Sequence, residues 1–434
     1  MNRIQLGFIV LVMLMMPLAG AGFAQDDLVI DFYFPSATAN DAEGIFQRYA
    51  DTFEERNPGI AINPVFTGSY TDTRNTILTE LQGGGAGPDV AVMLSIDLYS
   101  FAEEGYIIPA QGFIDAMDDG DAYINDYFPA LMANGVDEMG NVWSIPFQRS
   151  TPILYYNADL LAGAGYDSPP TNNAELIEIA QALTTEDRDG LLVPVAGGFP
   201  IWMYQSFAIA YGQNIVGDDP TEVYFNTPEA VAAVEFVRSL GTDLGVGPAG
   251  GAAWGDTPVA FLAGQAAMIY HTTGNLTRIL SGADFEVGVW YLPSGPAGDD
   301  GAGYGSPTGG GNLYIFDDGS KSQDELDAIW KWVMFLSSAE IQADWGATTG
   351  YIAANATAWE TEPLASLAME YPHYLVARDQ LQFADKEFSS YATITIQGII
   401  NKTLESILTG ESEDAQAAMD EAQAQIDGIL AEYK

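Results

Sequence analysis

Aromatic side chains that follow paired glycines are the residues of this sequence with the most specific chemistry. Gly197 and Gly198 come directly before Phe199, and Trp202 lies three residues further on, between a strand-like apolar run and a helical pattern. At such a turn, aromatic faces can pack on the apolar C–H face of a sugar ring while polar groups meet its hydroxyls. The pattern predicts a platform for a carbohydrate, with Trp202 as an ordinary core residue the competing interpretation.

A short polar segment interrupts two apolar, strand-like runs in the first half of the chain. Residues 148–151 (Gln-Arg-Ser-Thr) separate residues 142–147 from residues 152–156. Two strands divided in this way suggest a chain that leaves one packed core and enters another, and a cleft would open at the break. We therefore expect Arg149 and Ser150 to face a ligand, with Arg149 the obvious cation available to the cleft.

The sequence lacks the residue sets of common hydrolases and metal sites. It has no cysteine, only two histidines (His271 and His373), no G-x-S-x-G and no H-E-x-x-H. The glycines of residues 83–87 lack the Gly-Lys-Ser/Thr of a phosphate loop, and the acidic clusters at 115–126 and 186–190 lack the spacing of a calcium loop. We predict no catalytic residue, no metal and no cofactor. A secreted glycosidase with two carboxylates is the rival hypothesis.

The charge of the chain is strongly negative. Sixty acidic residues stand against 14 basic ones, for a formal net charge of −46. Nucleic acids and anionic membranes are poor partners for such a protein, because phosphate contacts require clustered Lys and Arg. A heavily solvated acidic surface is expected instead, and it would suit a salty external medium that screens self-repulsion.

The first residues predict export. A positive start at residues 2–3 precedes the apolar run 6–18, and residues 22–24 (Gly-Phe-Ala) form a small-x-Ala cleavage site. An apolar run of about a dozen residues is short for a membrane span, which needs roughly 20. We therefore predict a signal peptide over residues 1–24 and a soluble periplasmic or extracellular protein.

Behind the leader, the pattern of elements is that of an α/β protein. Residues 28–34 read as a strand, 42–56 as an amphipathic helix ended by Asn57-Pro58-Gly59, and 60–66 as the next strand. A β-α-β order of this kind predicts a parallel pair of strands.

Three motifs carry a resemblance to a known family. Residues 146–159 (Pro-Phe-x-x-Ser-Thr-Pro-x-Leu-Tyr-Tyr-Asn-x-Asp), 261–268 (F-x-x-G-x-x-A-M) and 349–351 (Thr-Gly-Tyr) resemble segments of extracellular family 1 solute-binding proteins of ABC importers. The resemblance covers nearly all of the chain after the leader. The family includes maltose-binding and glycerol-3-phosphate-binding proteins, and the resemblance is strongest to the glycerol-3-phosphate branch. It implies a type II periplasmic binding protein with two α/β lobes, each a mixed, mainly parallel sheet flanked by helices.

The resemblance also implies that three hinge crossings, near Gln148, Leu292 and Thr349, join the lobes. A ligand that contacts both lobes would stabilise the closed form. The expected division is 25–148 and 293–348 for lobe 1, and 149–292 and 349–434 for lobe 2.

Several cleft residues follow from the same resemblance. Tyr70 matches a Gly-x-Tyr loop that lines the cleft, and Ser95 occupies the position of an acidic ligand contact. Trp202 matches a cleft tryptophan, and Phe199 replaces its companion. The polar segment at residues 148–151 and later loops that resemble those of the family add further residues. The predicted ligand-binding residues are Tyr70, Ser95, Arg149, Ser150, Phe199, Trp202, Thr273, Gly274, Gly310, Gly311 and Tyr351.

An uncharged ligand is expected. The glycerol-3-phosphate branch meets phosphate with a basic residue near the C-terminus, whereas the corresponding residues 388–397 contain no Arg or Lys. We predict a monomeric, non-enzymatic binding protein that captures a sugar, oligosaccharide or polyol and delivers it to the transmembrane subunits of an ABC permease. Glycerol 3-phosphate or a glycerophosphodiester is the alternative ligand.

Overall fold

The computed structural model describes residues 28–36, 41–296 and 305–434. The predicted signal peptide, residues 1–24, lies outside these ranges. The strands are β1 (Leu28–Phe34), β2 (Ile60–Phe66), β3 (Val90–Leu94), β4 (Ile107–Ile108), β5 (Ile145–Ser150), β6 (Pro152–Asn157), β7 (Asp189–Leu192), β8 (Ala266–Thr272), β9 (Val287–Trp290), β10 (Ser306–Pro307), β11 (Gly309–Phe316) and β12 (Ala384–Asp385).

Helices separate most of these strands along the chain. They are α1 (Ala42–Arg56), α2 (Tyr70–Gln82), α3 (Leu98–Glu103), α4 (Gln111–Asp115), α5 (Gly120–Asn125), α6 (Pro129–Met132), α7 (Ala158–Gly163), α8 (Asn173–Leu183), α9 (Pro200–Ala210), α10 (Pro228–Thr242), α11 (Asp256–Leu262), α12 (Leu276–Gly282), α13 (Gln323–Leu336), α14 (Ala339–Thr349), α15 (Leu364–Glu370), α16 (His373–Gln380), α17 (Thr393–Leu408) and α18 (Ala415–Leu430). Within the described ranges, no helix is both long enough and apolar enough to cross a bilayer.

The larger sheet has the order β2-β1-β3-β11-β4, and β5 also pairs with β11. Strand β1 is parallel to β2 and β3, as the β-α-β pattern predicts. Strand β11 runs antiparallel to β3, β4 and β5. This sheet forms the centre of the first lobe.

The second sheet has the order β7-β8-β6-β9 and forms the centre of the other lobe. Here β7 is parallel to β8, but β6 is antiparallel to both β8 and β9. The two-lobed, mixed α/β fold is therefore confirmed, whereas the expectation of mainly parallel sheets is wrong. Strands β6 and β11 enter their sheets from the opposite lobe, so no β-α-β connection within one sheet imposes a parallel direction on them.

Each lobe has its own apolar core. In the first lobe, Phe46 on the buried face of α1 packs against Phe32 and Phe34, with ring centroids 5.1 and 4.4 Å apart. In the second lobe, α9, α10, α17 and α18 share one apolar core with residues of β6 and β8, and this core buries Ile396, Ile400 and Leu404. The C-terminal helices thus belong to the core of the second lobe.

The segments that pass between the lobes meet at Arg149. Only Thr151 separates β5 in one sheet from β6 in the other. Arg149 pairs with Gly310 of β11, and its carbonyl accepts a hydrogen bond of 2.8 Å from the N–H of Ile352, in the segment after α14. Three crossings therefore lie side by side at one residue. The exact lobe boundaries given above stay a prediction.

Candidate ligand-binding cleft

A cavity lies between the two sheets, directly beside the crossings. Its wall combines aromatic rings with polar groups from both lobes. The residues that line it are Tyr70, Leu94, Ser150, Phe199, Trp202, Trp254, Thr272, Gly310, Tyr351 and Glu387.

Three aromatic rings form the second-lobe side of the wall. The ring centroid of Trp254 lies 5.0 Å from that of Phe199 and 5.9 Å from that of Trp202. Gly198 has a φ of +75°, and a Cβ at this position would lie 2.5 Å from Trp254 Cβ. Pro200 then begins α9 in the N-terminal position that proline favours. The glycine-rich turn is thus required for the close approach of Trp254.

Trp202 has two roles. It is only 5% exposed and packs in the core of the second lobe, yet it also lines the cavity. Its indole N–H donates a 2.9 Å hydrogen bond to the carbonyl of Thr308, in the segment that leads into β11. The core interpretation and the cleft interpretation therefore each describe part of what Trp202 does.

The first-lobe side of the wall comes from the ends of secondary-structure elements. Tyr70 begins α2 behind a capping box of Ser69 and Asp72, and Leu94 ends β3. The carboxyl end of a strand is where open α/β sheets bind ligands. Burial, and then the neighbouring Tyr351 phenol, raise the pKa of Tyr70 well above its ordinary value. Tyr70 therefore stays neutral and can hydrogen-bond to a hydroxyl group.

The glycines of residues 309–311 begin strand β11 and do not form a flexible turn. Gly310 has a φ of +93°, and a Cβ there would lie 2.1 Å from the carbonyl oxygen of Gln148. At Gly309, a Cβ would lie 2.5 Å from the indole nitrogen of Trp202. Only glycine allows β11, β5 and the indole ring to come this close together.

The structure brings six of the predicted residues to the cavity wall: Tyr70, Ser150, Phe199, Trp202, Gly310 and Tyr351. Ser95, Arg149, Thr273, Gly274 and Gly311 do not line it. Arg149 is fully buried and donates to Gly310 O and Thr308 Oγ1, both at 3.1 Å, so it lies one layer behind the wall. Thr273 Oγ1 instead accepts a 3.3 Å hydrogen bond from the N–H of Thr151. Direct contact of any of these residues with a ligand stays a prediction.

Four lining residues did not emerge from the sequence: Leu94, Trp254, Thr272 and Glu387. Trp254 follows a glycine-rich run, residues 245–251, so the signal that marked Trp202 was present there as well. Leu94 and Thr272 lie at strand ends, next to positions that were singled out. Glu387 is one of 60 acidic residues in an irregular segment, and no sequence signal distinguishes it.

Glu387 is the acidic group of the cavity wall. Burial raises its pKa to about 8, while the charge of Arg149 acts in the opposite direction. Its carboxylate oxygen Oε2 lies 3.4 Å from Ser95 Oγ, which donates to it. Near neutral pH this side chain therefore carries a proton and can both donate and accept hydrogen bonds.

His271 supports the wall from behind. The carbonyl of Trp254 can only accept, so His271 Nε2 must donate the 3.1 Å bond between them, and Nδ1 accepts from Asn275 Nδ2 at 3.0 Å. Burial lowers the pKa of His271 to about 4, so the ring is neutral. The described residues contain no group of three or more side chains that could hold a metal ion.

Comparisons with known proteins point to one family. A profile described as "Bacterial extracellular solute-binding protein" matches residues 48–371. The sn-glycerol-3-phosphate-binding periplasmic protein UgpB of Rhizobium meliloti (strain 1021) is 26% identical over 391 residues, which cover 85% of this chain and 86% of the relative. UgpB of Salmonella typhimurium (strain LT2) is 26% identical over 393 residues, which cover 85% of each chain.

Solved structures share the two-lobed fold. UgpB from Mycobacterium tuberculosis in complex with glycerophosphocholine superposes with a TM-score of 0.79 at 24% identity, over 93% of this chain and 98% of that one. Maltose-bound MalE3 from T. maritima gives a TM-score of 0.79 at 20% identity, over 93% of this chain and 100% of that one.

Proposed function

Because this chain belongs to the bacterial extracellular solute-binding proteins, we propose that it captures an uncharged sugar, oligosaccharide or polyol between its lobes and delivers it to an ABC permease. The observation that carries the ligand class is the composition of the cavity wall. Phe199, Trp202 and Trp254 offer ring faces for the apolar side of a sugar, and Ser150 and Thr272 offer hydroxyls beside them.

The charge of the wall supports an uncharged ligand. Within the described part of the chain, no Lys or Arg lines the cavity, and the one ionisable acid there is Glu387. A phosphate group would need charge-assisted hydrogen bonds, which are roughly twice as strong as neutral ones. Arg149 would be the source of such bonds, but it does not line the cavity: it lies one layer behind the wall, where its guanidinium donates to Gly310 and Thr308.

Transport would follow from closure of the lobes. A ligand in this cavity contacts side chains of both sheets, so it stabilises the closed form by its differential affinity for that form. Permease subunits would then recognise the closed, loaded protein. We infer that the protein works in the periplasm or outside the cell as a monomer, after removal of residues 1–24. N-terminal sequencing of the exported protein tests the removal of residues 1–24, and gel filtration tests the monomeric state.

A phosphorylated ligand is the second candidate. The relatives in two species are named for binding sn-glycerol-3-phosphate, and the Mycobacterium tuberculosis protein binds glycerophosphocholine. The buried guanidinium of Arg149, one layer behind Ser150 and Gly310, is the feature of this chain that favours it.

A thermal-shift screen tests the proposal. Maltose, tagatose, glycerol, glycerol 3-phosphate and glycerophosphocholine would be added singly, and hits confirmed by calorimetry. At 100 times its Kd a ligand adds about 2.7 kcal/mol to the free energy of unfolding. A shift with an uncharged probe is expected, whereas a shift with phosphorylated probes alone would favour the second candidate. Release of reducing ends from a glycan panel would instead indicate a glycosidase.

A further inference from the structure

Glu387, the buried acid of the cavity wall, is held in place by both lobes. Its N–H donates to Asn134 Oδ1 at 2.9 Å, and Asn134 Nδ2 donates back to its carbonyl at 2.8 Å. From the second lobe, Gln205 Nε2 donates to the carbonyl of Lys386 at 3.0 Å, and the N–H of Phe388 donates to Gln205 Oε1 at 3.1 Å. Two amide side chains thus fix the backbone that carries the Glu387 side chain to the cavity.

Charged and titratable groups face Glu387 from several elements. They are Arg149 of β5, Asp97 in the turn after β3, Tyr70 of α2 and Tyr314 of β11. Asp97 is itself compensated, because Arg74 Nη2 lies 2.7 Å from its Oδ1. Both tyrosines are neutral, since burial raises their pKa values above the ordinary value. Arg149 is therefore the cation whose charge Glu387 balances once its carboxyl group is ionised.

An anionic ligand in the cavity would face the ionised Glu387 carboxylate directly, because Glu387 lines the wall and Arg149 lies one layer behind it. Inside a buried cavity two negative groups repel strongly, since the low local dielectric weakens screening. Hydroxyl groups of an uncharged ligand can donate to the carboxylate without this penalty. We propose that Glu387 is a specificity-determining residue of the cleft: in its ionised form it balances Arg149, admits uncharged polyhydroxyl ligands and opposes phosphorylated ones. This inference rests on the proposed function and refines its ligand class.

The affinity for a phosphorylated ligand should depend on pH, because Glu387 titrates. Burial raises the pKa of Glu387 to about 8, so the carboxyl is neutral at pH 7 and ionised at pH 9. A phosphorylated ligand must then bind together with a proton above pH 8, and its affinity falls about tenfold per pH unit there. The affinity for uncharged ligands should not depend on pH in this way, because the ionised carboxylate can accept hydrogen bonds from their hydroxyl groups.

Calorimetric titration with glycerol 3-phosphate at pH 7 and pH 9 tests the inference. Three proteins would be compared: the wild type, Glu387→Gln, and Glu43→Gln as a control that removes one exposed carboxylate in the first turn of α1. The wild type and the control should bind about tenfold more weakly at pH 9 than at pH 7. Glu387→Gln should bind equally at both values and about tenfold more tightly than the wild type at pH 9.

Each other result overturns the inference. A wild type with equal affinity at both pH values, or without binding at pH 7, contradicts it, and so does a Glu387→Gln variant that gains nothing at pH 9. If that variant does not fold, the wild-type comparison decides alone. Failure of the proposed function is a separate result: maltose, tagatose and glycerol would then leave the melting temperature of the wild type unchanged.

Discussion

The two tryptophans of the cavity wall differ in how far they are built into the core. Trp202 belongs to the second-lobe core, whereas Trp254 is only partly buried and packs against that core from a loop. The consequence of removing each ring should therefore differ, although both line the cavity.

We expect Trp254→Ala to lower ligand affinity by at least about tenfold and to cost less intrinsic stability than Trp202→Ala, because the Trp254 ring is only partly buried. Trp202→Ala should lower both, by about 3–5 kcal/mol in the free energy of unfolding for a buried large aromatic residue. Calorimetry with an uncharged ligand from the screen, together with denaturant melts of the free proteins, measures both effects. Equal stability losses in the two variants would contradict this difference.

His271 should make the protein less stable in acid. Its pKa is lowered to about 4 in the folded protein from an ordinary value of 6.5, so the unfolded chain binds the extra proton between those values. The stability contribution is fully present above pH 6.5 and is lost as the pH falls towards 4, by up to about 3 kcal/mol.

Urea melts between pH 4 and 7 of the wild type and of His271→Gln test this slope. The variant should lose part of the acid sensitivity of the wild type. His373→Gln, at a less buried histidine whose pKa burial also lowers, is the matched control and should change the slope less. An unchanged slope in His271→Gln would show that other groups cause the acid sensitivity.

The sequence predicted the aromatic side of the cleft better than its polar side. Phe199 and Trp202 follow glycines, and glycines mark turns where a ring can approach a ligand or another chain segment. Glu387 has no such mark, because its burial depends on Asn134 and Gln205, which are 253 and 182 residues away in the chain. Arg149 was predicted to face the ligand, but its hydrogen bonds to Gly310 and Thr308 hold it behind the wall.

Strand β11 is the element whose formation depends most on glycine. We expect Gly310→Ala to lower the free energy of unfolding by more than about 2 kcal/mol, since its positive φ and the oxygen of Gln148 leave no room for a methyl group. Ligand binding should weaken with it, because the same residue lines the cavity.

Gly428→Ala provides the matched control for that change. Gly428 lies within α18, and a Cβ there would meet no atom within 4 Å. Alanine at such a site should stabilise the protein by about 0.5–1 kcal/mol. Thermal and urea melts of both variants measure the difference. A Gly310→Ala protein as stable as the wild type would contradict the required close approach of β11 and β5.

Periodic patterns in the sequence predicted the positions of several elements. Strands β1 and β2 and helix α1 have the predicted bounds. Helix α2 begins at Tyr70, because Ser69 and Asp72 form a capping box there. Strand directions could not be derived from such patterns, since they depend on which lobe the chain has just left.

Closure of the molecule depends on the segment that carries Glu387. Asn134 is buried in the first lobe and satisfies both backbone groups of Glu387, so opening the cleft would expose those groups to water. In an Asn134→Ala protein they would remain buried without a partner only in the closed form. The substitution should therefore shift the protein towards the open form.

We expect Asn134→Ala to weaken ligand binding on the order of tenfold, from the loss of about 1–3 kcal/mol in the closed form alone. Its radius of gyration in solution scattering should increase as well. Asn63→Ala, at an exposed position on β2, is the control and should change neither quantity. Unaltered affinity and radius in Asn134→Ala would show that this contact does not contribute to closure.

The net charge of −46 should make the stability of the whole molecule depend on salt. Raising NaCl from about 0.02 M to about 1 M shortens the Debye length to about 3 Å and screens the repulsion between carboxylates. The melting temperature should therefore rise by a few degrees. Near pH 4, where many carboxylates are protonated, the same salt step should have much less effect. A melting temperature independent of salt at pH 7 would contradict this account.

The three crossings that meet at Arg149 also determine how the chain can be divided. A single cut in the exposed turn near residue 167 would leave β6 in one fragment and its partners β8 and β9 in the other, while β11 would remain separated from β3 and β5. Neither fragment contains all strands of either sheet. Two such fragments, produced separately, should acquire structure only on mixing, which makes this turn a natural place to build a split sensor.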